Sequence, residues 1–247
     1  MTSLAVQLYS VREQLAADRP GTLRRLADAG YRAVEPFDTH VDPHGLRAAL
    51  DPLGLAVCAT HGDVLGPDRD AVLAGAAVLG TDTVIQPMAP PRRFADRAGV
   101  EATARDLNAA ATRAADHGMR LGYHNHHWEL ASRIGGRPAL EVLADLLAPE
   151  VLLEVDIYWA ATGGADVPEL LRRLGDRVRY LHVKDGPATE AGPMTAVGAG
   201  IVPVAAALAA APAARRIVEL DRCATDVLAA IEESHRYLTA LEQGAPR

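Results

Sequence analysis

Cysteine is nearly absent from this 247-residue chain. Only Cys58 and Cys223 occur, too few for a disulfide framework or a thiolate zinc site. Long apolar runs are also missing: none reaches the roughly 18–20 uninterrupted residues that a membrane span needs. The segment MTSLAVQLYSVREQ has no basic region leading into an apolar core, since Arg12 and Glu13 break it early, so no secretory leader is expected. Basic clusters are lacking too. The 25 Lys and Arg are outnumbered by 32 Asp and Glu, for a net charge of −7, which argues against a nucleic-acid surface. Neither G-x-G-x-x-G nor G-x-x-x-x-G-K occurs, which removes the usual dinucleotide and P-loop signatures. What remains is a cytoplasmic enzyme or binding protein with no nucleic-acid or membrane partner. The alanine-rich stretch at 205–214 reads as helix-forming composition and carries no function.

Short apolar runs alternate with amphipathic stretches along the whole chain. Strands are expected at 4–9, 32–37, 55–60, 82–87, 119–125, 151–156, 178–183 and 215–220. Helices are expected near 20–29, 43–52, 68–79, 97–117, 137–147, 166–174, 202–210 and 224–241. Gly30, Gly54, Gly80, Gly118 and Gly175 follow helical stretches, as C-cap glycines do. Strand starts recur about every 30 residues, the length of a βα unit. Eight strands alternating with eight helices predict a single α/β domain over 1–247, a closed (β/α)8 TIM barrel. The Pro/Gly clusters at 87–93 and 186–200 are loops within the repeat.

Four consecutive strands end in polar clusters: LGYHNHHWE (121–129), VLLEVDIYW (151–159), VRYLHVKD (178–185) and RRIVELD (215–221). A buried carboxylate or imidazole is costly unless paired, hydrogen-bonded or coordinated. In a parallel barrel these ends converge on one mouth, so residues far apart in sequence become neighbours. One Asp or His at a strand end is commonly a loop cap. Asp156, His182 and Glu219 on successive strands instead point to a shared site suited to a divalent metal such as Mn, Co, Mg or Zn.

The motifs QLYSVRE (7–13), GYRAVEPF (30–37), HGD (61–63), GYHNHHWE (122–129), EVDIYW (154–159), LHVKDG (181–186), VGAG (197–200) and VELD (218–221) resemble the xylose isomerase-like barrel family. Within it they resemble the sugar phosphate isomerase/epimerase and inosose dehydratase group. The resemblance implies a metal held by Glu, Asp, His and Glu from the fifth to eighth strands. Asp156, His182 and Glu219 match three of these. The fifth strand carries His124 where the Glu is expected, with Gly122, His124 and His126 facing the interior by strand alternation. Glu129 lies one turn further on as a further metal candidate.

A missing fifth-strand Glu weakens two-carboxylate epimerisation and brings histidine acid–base chemistry forward. The expected function is a divalent-metal-dependent isomerase or epimerase of a sugar, sugar phosphate or keto-polyol. It would abstract the proton alpha to a carbonyl and use a metal-stabilised enediolate. The alternatives are an inosose dehydratase-like lyase and a non-catalytic sugar-binding protein. A metal hydrolase of the endonuclease IV kind would need a basic groove, which the acidic balance opposes. Glu219, His124, His126 and Lys184 are the catalytic candidates, and Glu35, His61, Trp128 and Trp159 the substrate-binding ones. Gly198 and Gly200 suggest a tight loop with an anion-binding backbone. The resemblance also suggests a homodimer.

Overall fold

Nine short strands form one parallel sheet in this computed structural model, which describes residues 4–244. They are β1 (Ala5–Gln7), β2 (Ala33–Glu35), β3 (Ala56–Val57), β4 (Thr60–His61), β5 (Thr83–Gln86), β6 (Arg120–His124), β9 (Leu152–Asp156), β10 (Val178–Val183) and β11 (Arg215–Val218). A two-stranded antiparallel hairpin, β7 (Arg133–Ile134) and β8 (Arg137–Pro138), lies outside the sheet. The order is β3-β2-β1-β11-β10-β9-β6-β5-β4. The third expected strand is split, and its two pieces serve opposite edges. β3 pairs with β2 while β4 pairs with β5. Cys58 N donates to Val34 O and Gly62 N to Ile85 O, each at 3.0 Å, so the segment between the edges closes the barrel. The expected (β/α)8 architecture is therefore observed, with one strand shared between two edges.

Local chemistry sets the helix boundaries. Asp18, Asp42, Asp96, Asp166 and Asp226 each accept a backbone N–H from the third residue on, a cap that stabilises by about 1 kcal/mol. Arg97–Asp116 buries Val100, Ala104, Leu107, Ala111 and Ala114, the stripe that a 3.6-residue period presents to the barrel. Helix Arg69–Leu79 stops at Gly80, which takes the left-handed conformation (φ 76°) that glycine adopts without strain.

Short helices Arg12–Ala17, Trp128–Ala131 and Ile157–Thr162 depart from the expected pattern. They are too short for periodicity to reveal, and the last of them is started by a local cap, in which Asp156 Oδ1 accepts Trp159 N at 2.8 Å. No helix among the described residues is long and apolar enough to cross a membrane.

The lower barrel interior is an apolar plug of Ala5, Ala33, Ala59, Ile85, Tyr180 and Ile217. The layer above it is polar, and that change within the barrel positions the site.

Candidate metal centre and cavity

Side chains two residues apart on a strand face the same way. Moving two residues along from the plug reaches Gln7, Glu35, His61, Pro87, His182 and Glu219. The same step takes Gly122 to His124 and Glu154 to Asp156. Register aligns them laterally: His124 is opposite Glu154, His182 opposite Asp156, and Gln7 opposite Glu35.

These groups form one buried network. His182 Nδ1 lies 2.6 Å from Glu219 Oε2, and its Nε2 lies 2.6 Å from Glu35 Oε2 and 3.1 Å from Glu154 Oε2. Glu154 Oε2 also meets His61 Nε2 at 2.6 Å and His124 Nδ1 at 3.0 Å. Gln7 Nε2 donates to Glu35 at 2.9 Å. Asn125 Oδ1 accepts Asp156 N at 3.1 Å, fixing the end of β9. Lys184 Nζ reaches Asp156, Glu219 and Asp221 at 2.9, 2.6 and 2.8 Å.

Desolvation and neighbouring charge divide the carboxyls into two kinds. Burial raises Glu35 to about 7, helped by Glu154, and raises Asp156 to about 6. Burial also opposes ionisation of Glu154 and Glu219, but nearby cations outweigh it. His182 and His61 hold Glu154, and Lys184 and His182 hold Glu219, well below the usual carboxylate range. His182 is raised well above an ordinary imidazole because Glu154, Glu219 and Glu35 overcome its desolvation. Burial and His182 push His124 down to about 3. Burial and His124 also lower His126, which stays neutral.

Above this network is a cavity of about 400 Å³, lined by His61, His124, His126, Trp159, Lys184 and Glu219 on its inner side and by Tyr9, Phe37 and Met88 further out. Not every expected residue reaches it. Glu35 is fully buried below the floor as a partner of His182. Trp128 stacks behind His126 with ring centroids 4.4 Å apart. Glu129 stands apart from the metal-type groupings, because Tyr123 Oη and His126 N already donate to its two oxygens at 2.6 and 3.0 Å. The Gly198–Gly200 backbone does bind an anion, and it is the chain's own Asp185, which accepts Gly198 N and Gly200 N at 2.9 and 3.1 Å.

Glu154 was not among the expected site residues. Its signal was a charged residue two positions before Asp156, on the same face of an otherwise apolar run. The fifth strand does carry His124, and the sixth strand supplies the acid beside it.

Two overlapping groupings bring their donor atoms within 4.8 Å of one another: His61, His124, Glu154 and His182, and His124, Asp156, His182 and Glu219. Glu35 Oε1 and Glu154 Oε1 are buried without a hydrogen-bond partner, while Asp156 Oδ2 meets Lys184 Nζ at 2.9 Å. Orphaned acceptors of this kind require explanation. Together with the mixed imidazole–carboxylate donors, they fit a divalent cation.

A family model described as the xylose isomerase-like TIM barrel matches residues 23–240. Inosose dehydratase of Geobacillus kaustophilus (strain HTA426) is 27% identical over 190 residues, covering 66% of this chain. The match spans 60% of that relative's length. A sugar phosphate isomerase/epimerase from Parabacteroides distasonis ATCC 8503 superposes with a TM-score of 0.82 at 23% identity, covering 97% of this chain and 94% of that one. A xylose isomerase-like TIM barrel protein from Mycobacterium smegmatis in complex with magnesium gives 0.70 at 14% identity, covering 100% and 98%. At these identities the two structures establish a common fold.

Proposed function

This chain belongs to the xylose isomerase-like TIM barrel family, and on that footing we propose that it is a divalent-metal-dependent isomerase or epimerase of a small sugar or keto-polyol. The observation that carries the reading is the grouping of His124, Asp156, His182 and Glu219, because two of its members, His124 and Glu219, also line the cavity. A bound Mn, Co, Mg or Zn ion would polarise a substrate carbonyl and acidify the adjacent C–H bond. Magnesium in the Mycobacterium smegmatis relative supports a divalent ion here.

The chain's own residues supply proton transfer and orientation. Glu219 enters the cavity as a carboxylate, and Lys184 at 2.6 Å fixes its direction. It is the group assigned to remove the proton alpha to the carbonyl. His126 lines the same cavity, and its Nδ1 has no hydrogen-bond partner. A neutral imidazole there accepts or returns a proton. Trp159 covers part of the wall, excluding water and offering an apolar face to a sugar ring.

His126 also favours a second reading. In it His126, in place of Glu219, takes the alpha proton and delivers it to the departing hydroxyl, giving β-elimination of water. The Geobacillus inosose dehydratase supports this alternative.

Metal analysis followed by NMR in D₂O with free ketoses and inososes tests both readings. Solvent deuterium at the alpha carbon is expected, and an unsaturated product would select the dehydratase. Stoichiometric metal with no exchange across the panel would overturn both and leave a sugar-binding protein.

A further inference from the structure

The substrate's charge class is written in the cavity wall, and this inference rests on the function proposed above. Lys184 is the only lysine or arginine among the described residues that line the cavity. Its side chain is 1% exposed, and its ammonium already lies within 2.9 Å of Asp156, Glu219 and Asp221. It has little positive potential left to offer a ligand anion.

The remaining ionic lining is acidic. Asp38 and Asp63 are exposed at the rim, and Asp221 is 24% exposed beside Lys184. Guanidinium groups outside the lining are engaged or belong to a neighbouring groove. Arg12 bonds to the carbonyls of Tyr9 and Asp221. Arg92 and Arg93 line a neighbouring groove, where Arg93 pairs with Asp106 at 2.9 Å. Phosphate and carboxylate sites are ordinarily built from free Arg or Lys donors or a helix N-terminus. The Gly198–Gly200 backbone, the one anion cradle expected here, is filled by Asp185. Tyr9, Phe37, Met88 and Trp159 give the rest of the wall an apolar surface.

We infer that the site takes an uncharged keto-polyol and rejects phosphorylated or carboxylated sugars, with Asp38, Asp63 and Asp221 as the residues that set this specificity. The carboxylates accept hydroxyl protons from a neutral ligand, and they repel a dianionic phosphate at the same rim.

Of the chain's two tryptophans, Trp159 lines the cavity and Trp128 stacks behind His126, so intrinsic fluorescence reports binding. The magnesium-supplemented protein is titrated with free ketopentoses, ketohexoses and inososes, and with their phosphate monoesters. At least one neutral compound should bind, with its phosphate ester weaker by tenfold or more. Asp38→Asn should narrow that ratio at least threefold, as should Asp63→Asn. Asn accepts the left-handed backbone at position 38 (φ 48°) as readily as Asp does.

A phosphate ester that binds as tightly as the best neutral compound would overturn the inference, as would a panel in which no neutral compound binds. An unchanged ratio in both variants would overturn the role of the rim. Deuterium exchange separates this inference from the reading it rests on. Exchange into a phosphate ester sinks the charge class and keeps the chemistry. Binding of neutral polyols without exchange sinks the chemistry and keeps the charge class.

Discussion

His124 Nδ1 stands 3.0 Å from Glu154 Oε2, its in-register neighbour across β6 and β9. The pair joins the two overlapping donor groupings, because His124 belongs to both and Glu154 to one. Glu154→Gln keeps the shape and removes the charge. It should weaken divalent-metal retention about 10–100-fold, the usual cost of losing a ligand's supporting carboxylate. Metal content after dialysis against graded chelator reads this out. Retention equal to that of the parent protein would refute it.

Glu129 should make stability fall as pH rises. Burial lifts its carboxyl to about 8, above its unfolded value, so the native state holds a proton that the unfolded chain releases. The stabilisation is fully present below the unfolded value and is lost as pH rises toward 8. Between pH 5.5 and 8.5 the loss is about 3 kcal/mol by linkage. Glu129→Gln should remove most of that slope. Urea unfolding of both proteins at the two pH values checks it, and parallel slopes would sink the assignment.

Lys184→Met should be costly even though methionine fits an apolar pocket. The substitution leaves Asp156, Glu219 and Asp221 facing one another without their common cation. Breaking a buried ion pair from one side costs about 3–5 kcal/mol, or roughly a 10 °C drop in Tm for a chain of this size. Thermal denaturation followed by circular dichroism measures it. A Tm within 2 °C of the parent, a margin of about 1 kcal/mol, would show that the three carboxylates do not depend on Lys184.

His126 separates proton transfer from metal binding, because it lines the cavity yet belongs to neither donor grouping. His126→Gln should lower kcat by about 10²–10⁴, the range for loss of an acid–base group, with metal stoichiometry unchanged. Parallel loss of metal would make it a ligand instead.

How much of this was legible in the sequence follows from where each signal lies. The strand runs and their polar ends were readable because a period of two and an abrupt change from apolar to charged are local patterns. Asp156, His182 and Glu219 stand out that way. Glu154 is marked by strand alternation and not by a strand end, since it lies two residues before Asp156 on the same face of β9. Glu35 and Trp128 were placed on the correct strand and loop, but depth is a tertiary property. Whether a residue lines the cavity or lies beneath it depends on the barrel's stagger, which no linear window contains. Glu129 shows the same limit: its oxygens are engaged by Tyr123 and by the His126 amide, partners set by the local fold of 123–129.

Asp185 offers the sharpest check on the loop that follows β10. Its Oδ1 accepts Gly186 N and Val202 N at 2.8 and 3.0 Å, and its Oδ2 accepts Gly198 N and Gly200 N at 2.9 and 3.1 Å. One carboxylate thus folds residues 186–202 back on themselves immediately after Lys184. Hydrogen bonds to a charged acceptor contribute about 1.5–3 kcal/mol each, and bonds sharing one acceptor do not add fully. Asp185→Ala should therefore lower the opening free energy of the loop by about 3 kcal/mol, a fall of roughly two powers of ten in amide protection at Gly198, Gly200 and Val202. Gly200→Ala reaches the same clamp from the other side, since a Cβ there would lie 2.1 Å from Gly186 N. Hydrogen exchange by mass spectrometry should show both variants loosening 186–202 while the β-strand amides stay protected. Uniform loss of protection would mean that Asp185 supports the whole barrel, and unchanged loop protection would mean that the clamp holds nothing.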